Sequence, residues 1–214
     1  MNRTMRRFSP QVVRAALRHL RANDPILRNV IQQVGPCQLK LQPGRFHSLV
    51  RSIISQQISG HAARSIRQRL EDLVAPMKVS AQTMNSLTVQ RLRSVGLSQQ
   101  KATYIKDLAR KVANDELQLN QIGRLSDEKV IEQLTQVNGI GRWTAQMFLM
   151  FCLGRPNVLP YDDLGIRSAL RKMYDLDDLP NKAICQEIAQ PWRPYATIAC
   201  WYCWRSLDLN KESS

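Results

Sequence analysis

Helical periodicity runs almost without interruption along this 214-residue chain. Val12, Val13, Ala16, Leu17 and Leu20 recur at the spacing that gathers apolar side chains on one face of an α-helix. Phe46, Leu49, Val50, Ile53 and Ile54 repeat the pattern, and Ala102, Ile105, Leu108, Ala109 and Val112 do so again. The runs begin at residues suited to start a helix. Ser9-Pro10 pairs an N-cap side chain with a proline in the first turn, Asp24-Pro25 opens a second helix, another follows the break near Ser59-Gly60, and Ser80, Thr88, Ser98 and Ser126 stand as further caps. Asp127 and Glu128 fall in a first turn, where the helix dipole favours acids. Gly35-Pro36 is a stop. No run alternates as a strand does; short pieces such as Leu39-Lys40-Leu41 do not make a sheet. The pattern predicts an all-α protein of roughly ten helices joined by short turns.

Charge narrows the partner. The chain carries 31 Lys and Arg against 17 Asp and Glu, a net +14 that favours a polyanion, most plausibly nucleic acid. The excess is uneven: residues 1–70 hold 13 basic residues and one acid, Asp24. No apolar run approaches the roughly 20 residues that span a bilayer, so no membrane partner is expected. The basic Met1–Pro10 stretch has no apolar signal core behind it, and five cysteines without a framework fit a reducing compartment. A cytoplasmic protein is expected, associated with the nucleoid in a bacterium or nuclear in a eukaryote.

Val130 to Leu170 is the most informative segment. A helix leads into Val137-Asn138-Gly139-Ile140-Gly141, and a second helix is expected from Arg142 to Leu153. Two glycines one residue apart permit backbone geometry and close approaches that a side chain blocks. The unpaired amides opening the next helix form a phosphate site, to which Arg142 adds charge. Taken alone, such a turn also fits an ordinary helix–helix connection. About twenty residues on, Leu159-Pro160-Tyr161-Asp162-Asp163-Leu164-Gly165-Ile166 places two acids at the start of another helix, where either could simply be a cap.

Gly139-Ile140-Gly141-Arg142-Trp143-Thr144-Ala145, followed by Asp163 leading into a new helix, resembles the helix–hairpin–helix DNA glycosylase superfamily, and most closely its 3-methyladenine DNA glycosylase II group. Ile53-Ile54-Ser55-Gln56-Gln57-Ile58-Ser59 resembles the family's DNA-probing helix and loop. Gly96-Leu97-Ser98 with Lys101 and Tyr104 resembles its middle helices, and Trp192-Arg193-Pro194-Tyr195 with Trp201 and Trp204 its last helix. The resemblance implies one glycosylase unit over residues 1–214 in the compact form, without an extra N-terminal domain. It divides into a subdomain of about 45–155 carrying the hairpin 137–141 and a second from about 1–44 and 156–214, flanking a DNA-binding and active-site cleft.

It further implies a monofunctional DNA glycosylase that flips alkylated purines, of the 3-methyladenine or 7-methylguanine type, out of duplex DNA and leaves an abasic site. The alternatives are a glycosylase for a deaminated or oxidised base, or a non-catalytic hairpin scaffold for repair. Motif register puts the catalytic carboxylate at Asp163 rather than Asp162, to stabilise the oxocarbenium-like sugar. Trp143, Trp201 and Trp204 are candidates for the base pocket, since a cationic base is attracted to an electron-rich ring. Gln56, Gln57, Ile58 and Ser59 would probe the duplex, with Gln57 the better wedge and Ile58 next; Gly139, Gly141, Arg142 and Thr144 would bind its backbone. Bifunctional relatives carry a Schiff-base lysine where this chain has Trp143, so no strand nicking is expected. Family members often have Arg after Tyr195; here Ala196 removes that charge.

Some relatives bind an iron–sulfur cluster through four closely spaced cysteines. Here Cys200 and Cys203 form a Cys-x-x-Cys, but Cys185 lies far upstream and no further cysteine follows, and His19, His47 and His61 lie far from them, so neither a cluster nor zinc is expected. The family hairpin sometimes holds a monovalent cation on backbone carbonyls. Damaged double-stranded DNA is the expected partner, and the protein is expected to act as a monomer.

Overall fold

A computed structural model describes residues 8–209; the basic stretch containing Arg3, Arg6 and Arg7 lies outside them. The described residues hold helices and no strand. In chain order the helices are α1 (Pro10–Asn23), α2 (Pro25–Val34), α3 (Arg45–Ser55), α4 (Gly60–Val74), α5 (Ala81–Ser86), α6 (Val89–Arg93), α7 (Gln99–Ala113), α8 (Asp127–Thr135), α9 (Arg142–Phe151), α10 (Leu164–Met173), α11 (Lys182–Ile188) and α12 (Ala196–Leu209). Two short 3₁₀ turns, Ile122–Arg124 and Gln190–Trp192, were not expected from the sequence. The helix starts at Ser9, Asp24, Ser59, Ser80, Thr88, Ser98 and Ser126 were, and each of these side chains accepts a backbone N–H three residues on. Helix α9 stops at Phe151, short of the expected Leu153: Gly154 takes φ +64°, and the Arg155 amide turns back to the Leu149 carbonyl at 2.9 Å.

The chain forms two compact units, one holding the chain up to Leu41 and from Leu149 onward, the other Gln42–Phe148. In the first unit α12 packs against α1, α2 and α10. It is apolar around most of its circumference, and Ile198, Ala199, Cys200, Tyr202 and Cys203 are fully buried, as a helix central to a core must be. Buried Asp24 ties this core together. Its Oδ1 caps α2 at Leu27 N (2.9 Å), while Oδ2 accepts the Trp192 indole N–H at 2.7 Å and the Tyr174 hydroxyl. Burial first, and the bond to Asp24 second, push the Tyr174 phenol well above its ordinary range. In the second unit α7 is the central helix, packed against α3, α5 and α6, and buries Ala102, Ile105, Leu108 and Ala109.

Candidate nucleic-acid interface and carboxylate site

In the Gln42–Phe148 unit, helices α8 and α9 flank a short turn closed by Val137 N to Leu134 O (3.1 Å) and Ile140 N to Val137 O (3.0 Å). Its two glycines are not equivalent. Gly139 has φ +80°, and a Cβ there would lie 2.0 Å from Cδ2 of the Tyr104 ring. Gly141 has nothing within 4 Å of such a Cβ and is exposed. Gly139 is therefore required by the protein itself, whereas Gly141 keeps open a surface that a ligand backbone can approach.

Two polar side chains distant in sequence bond this turn, and a third holds the backbone of one of them. Asp107 Oδ2 accepts the Asn138 amide at 2.9 Å. Gln56 Nε2 donates to the Gly139 carbonyl at 2.8 Å. Lys101 Nζ donates to the carbonyls of Ile54 (2.8 Å) and Gln56, closing the end of α3. Burial lowers the Lys101 ammonium from its usual range. For Asp107 burial alone would raise the carboxyl, but the Asn138 amide, Lys111 and Arg110 together outweigh it and hold the group below the usual carboxylate range. A lowered folded value means that Asp107 contributes stability above the unfolded carboxylate range, near pH ~3.9, and that this contribution is lost as pH falls through the folded value. Asp107→Asn is expected to cost about 1–3 kcal/mol at neutral pH. In thermal melts followed across pH, the gap between wild type and variant should narrow in acid; a constant gap would contradict this account.

The probing loop divides in two. Gln56 is spent on the hairpin, and the Ser59 hydroxyl caps α4 through Ala62 N at 3.2 Å. Gln57 and Ile58 remain exposed. Gln57 sits at φ +54°, a left-handed conformation unusual for a residue with a side chain, at the tip of the turn between α3 and α4. Such strain costs of the order of 1 kcal/mol and is characteristic of functional positions. Gln57→Gly is expected to raise stability by roughly 1 kcal/mol while weakening binding to an abasic-site analogue. Chemical denaturation and anisotropy titration measure the two effects, and an unchanged affinity would remove Gln57 from the wedge role.

Arg142 is exposed but paired with Glu128, its two terminal nitrogens meeting the carboxylate at 2.9–3.2 Å. Thr144 corrects the sequence reading: at 4% exposure its side chain belongs to the interior of the unit and is not presented to DNA. Trp143 is 46% exposed and lines a cavity of about 460 Å³ with Met147, Gln56, Gln57, Arg51 and Arg67.

In the other unit Asp163 caps α10. Two donors converge on its Oδ1, Ile166 N at 2.8 Å and the Trp204 indole N–H at 2.9 Å, and the residue is only 9% exposed. Asp162 beside it is exposed. Trp204 reaches Asp163 from α12 and lies against Phe151, with ring centroids 5.9 Å apart. Gly165 makes this approach possible, because a Cβ there would stand 3.0 Å from both Asp163 Oδ1 and the Trp204 ring. Trp201 meets Tyr202 edge-on at 4.9 Å, and the Arg205 guanidinium lies 5.7 Å from its ring centroid. Trp192 is fully buried on Asp24 and belongs to the core. Cys200 and Cys203 are buried, and desolvation above all pushes both thiols up, which disfavours the thiolate a metal ligand needs. Among the described residues no group of three or more His, Cys, Asp or Glu side chains could hold a metal ion.

A glycine hairpin between helices, and beyond it a helix capped by a buried aspartate with a tryptophan donor, define a helix–hairpin–helix protein of the DNA-repair type. The chain belongs to the HhH-GPD superfamily of base excision DNA repair proteins, whose pattern matches residues 50–194. It is 30% identical over 196 residues to DNA-3-methyladenine glycosylase 1 of Schizosaccharomyces pombe, covering 89% of this chain and 86% of that one. The structure of 3-methyladenine DNA glycosylase (Mag1) of the same yeast, in complex with abasic DNA, superposes with a TM-score of 0.80 over 91% of this chain and 97% of that one. A crystal structure of DNA-3-methyladenine glycosidase from Bacillus halodurans is 33% identical, with a TM-score of 0.83 over 96% and 92% of the two chains.

Asp107, Tyr104, Lys101 and Gly165 escaped sequence reasoning as site residues. Lys101 and Tyr104 stood among the resembling positions, but nothing local marked their contacts. The only signal for Gly165 was a glycine two residues after the acid.

Proposed function

We propose that this protein is a monofunctional DNA glycosylase that flips alkylated purines of the 3-methyladenine or 7-methylguanine type out of duplex DNA and hydrolyses the N-glycosidic bond. The observation that carries the reading is the Asp163 carboxylate, buried at the N-terminus of α10 and fixed by Trp204 and Ile166 N. A pure phosphate binder has no use for such a group.

The steps follow from charge. The hairpin amides and the basic surface hold the phosphate backbone without reading sequence, so affinity falls steeply with rising salt. Gln57, with Ile58 beside it, fills the gap left by the extruded nucleotide. As the bond to the base lengthens, its electron pair moves to the base nitrogen and positive charge grows at C1′. The Asp163 carboxylate stabilises that charge, and water then bonds to C1′ and passes its proton to that carboxylate, which returns it to solvent. An alkylated purine already carries positive charge and leaves with little acid assistance. Trp143, half exposed beside Met147, supports stacking with such a base. No lysine stands at position 143 to form an imine, which supports hydrolysis without strand cleavage.

The Cys200 and Cys203 environment supports a reaction that needs neither a cluster nor zinc. At the hairpin, the carbonyls of Val137, Gly139 and Gly141 each accept a hydrogen bond, from Ile140 N, Gln56 Nε2 and Ala145 N, so a monovalent cation would have to share them. No step above depends on one.

The test is release of free base from methylated duplex DNA, read by chromatography. Release of 3-methyladenine or 7-methylguanine supports the proposal. Release only from uracil- or hypoxanthine-containing DNA would move the enzyme to another lesion class, and no release from any lesion would leave a binding scaffold. A borohydride-trapped protein–DNA adduct would contradict monofunctional chemistry.

A further inference from the structure

The cavity lined by Trp143 has a feature that base recognition does not explain. Arg51, on the last turns of α3, and Arg67, on α4, both line it and are both half-buried. Among the described residues neither guanidinium has a hydrogen bond or an ion pair. Burial above all lowers the Arg67 guanidinium from its usual range, and Arg51 and the neighbouring Arg64 add to this as like charges. The one opposing carboxylate is Glu71, a turn further along α4, whose Oε1 is 3.5 Å from His47. Helices α3 and α4 thus bring together like charges that their own unit only partly compensates. Such an arrangement is unfavourable until an anion enters. The same charges would repel a cationic base from the Trp143 wall unless something neutralised them first.

We propose that Arg51 and Arg67 together grip one phosphodiester of the DNA strand beside the Trp143 cavity, with Arg64 adding to the field. The planar forks of two guanidiniums match phosphate oxygens. The bound phosphate cancels the charge that would otherwise exclude an alkylated purine, so backbone capture precedes and permits entry of the base. This rests on duplex DNA being the partner, but not on the chemistry at Asp163.

Anisotropy titrations with undamaged duplex and with duplex carrying an abasic analogue, over a salt series, test the grip. Arg51→Gln and Arg67→Gln should each weaken both duplexes by a similar factor, roughly tenfold at low salt. The double variant should flatten the log K against log salt slope by about 0.9, the loss of one phosphate contact. Arg67→Lys keeps the charge and should retain the slope while losing part of the affinity, which keeps the test decisive if a glutamine variant fails to fold. An unchanged slope in the double variant, a Lys variant binding as tightly as wild type, or a loss confined to the lesion duplex would each overturn the proposal. Because undamaged DNA is one of the probes, a protein that released no base could still pass.

Discussion

Asp163→Asn is expected to lower base release from methylated DNA by at least about 10²–10³-fold, while the variant folds and binds an abasic analogue as wild type does. The substitution removes charge and little else. An asparagine Oδ1 can accept the same two hydrogen bonds, from Ile166 N and Trp204 Nε1, now at 2.8 and 2.9 Å. Asparagine also caps a helix as well as aspartate does, so α10 keeps its start. What disappears is the negative charge that opposes the developing cation at C1′. Single-turnover assays with excess enzyme isolate that step from product release. Asp162→Asn is the matched control: this side chain is exposed and caps nothing, and the variant should release base at close to the wild-type rate. Release by Asp163→Asn at the wild-type rate would remove Asp163 from the chemistry.

Trp204 sharpens what the carboxylate requires. A tryptophan on α12 gives up its only donor to Asp163, and the ring reaches it because Gly165 carries no side chain. The indole therefore orients the acid as well as offering an aromatic edge, a different role from the pure stacking that the spacing of Trp201 and Trp204 invites. Trp192 shows how little residue type settles: it too donates its indole to an aspartate, yet that pair lies in the core and caps α2.

These contrasts indicate where the sequence is readable. Caps are local, because the accepting side chain and the donated amide lie three residues apart; Ser9, Ser59, Ser98, Ser126 and Asp163 can therefore be recognised one at a time. The apolar stripes of α3 and α7 are local in the same sense. The bonds that shape the site are not. Asp107 meets Asn138 across 31 positions, Trp204 meets Asp163 across 41, and Gln56 meets Gly139 across 83. No periodicity encodes such pairs, which exist only once helices have packed. For the same reason Thr144, grouped by motif with the DNA-facing residues, turns inward, and Gln56 gives its amide to the hairpin.

The glycines of the hairpin give the largest structural effect. In the sequence Gly139 and Gly141 are equal members of one motif, but the fold makes opposite demands on them. A methyl group at 139 would meet the Tyr104 ring at 2.0–2.5 Å and would have to sit at φ +80°, so backbone and packing both resist it. Tyr104 stands half-buried on α7, the helix at the centre of its unit, and the clash reaches back to its Cγ, so the whole ring would have to move. Gly139→Ala is therefore expected to destabilise the protein by about 3 kcal/mol or more, combining left-handed strain with overpacking. It should also disorganise the bonds that reach the turn from Asp107 and Gln56, and so lower affinity for duplex DNA of any sequence. Gly141→Ala meets no atom within 4 Å and should melt within about 0.5 kcal/mol of wild type. If the open face at 141 is where a phosphate approaches, that variant loses DNA affinity without losing stability. Thermal melting paired with anisotropy titration separates the two cases. Equal melting temperatures for the two variants would refute the Tyr104 argument, and undiminished binding by Gly141→Ala would show that the phosphate does not approach there.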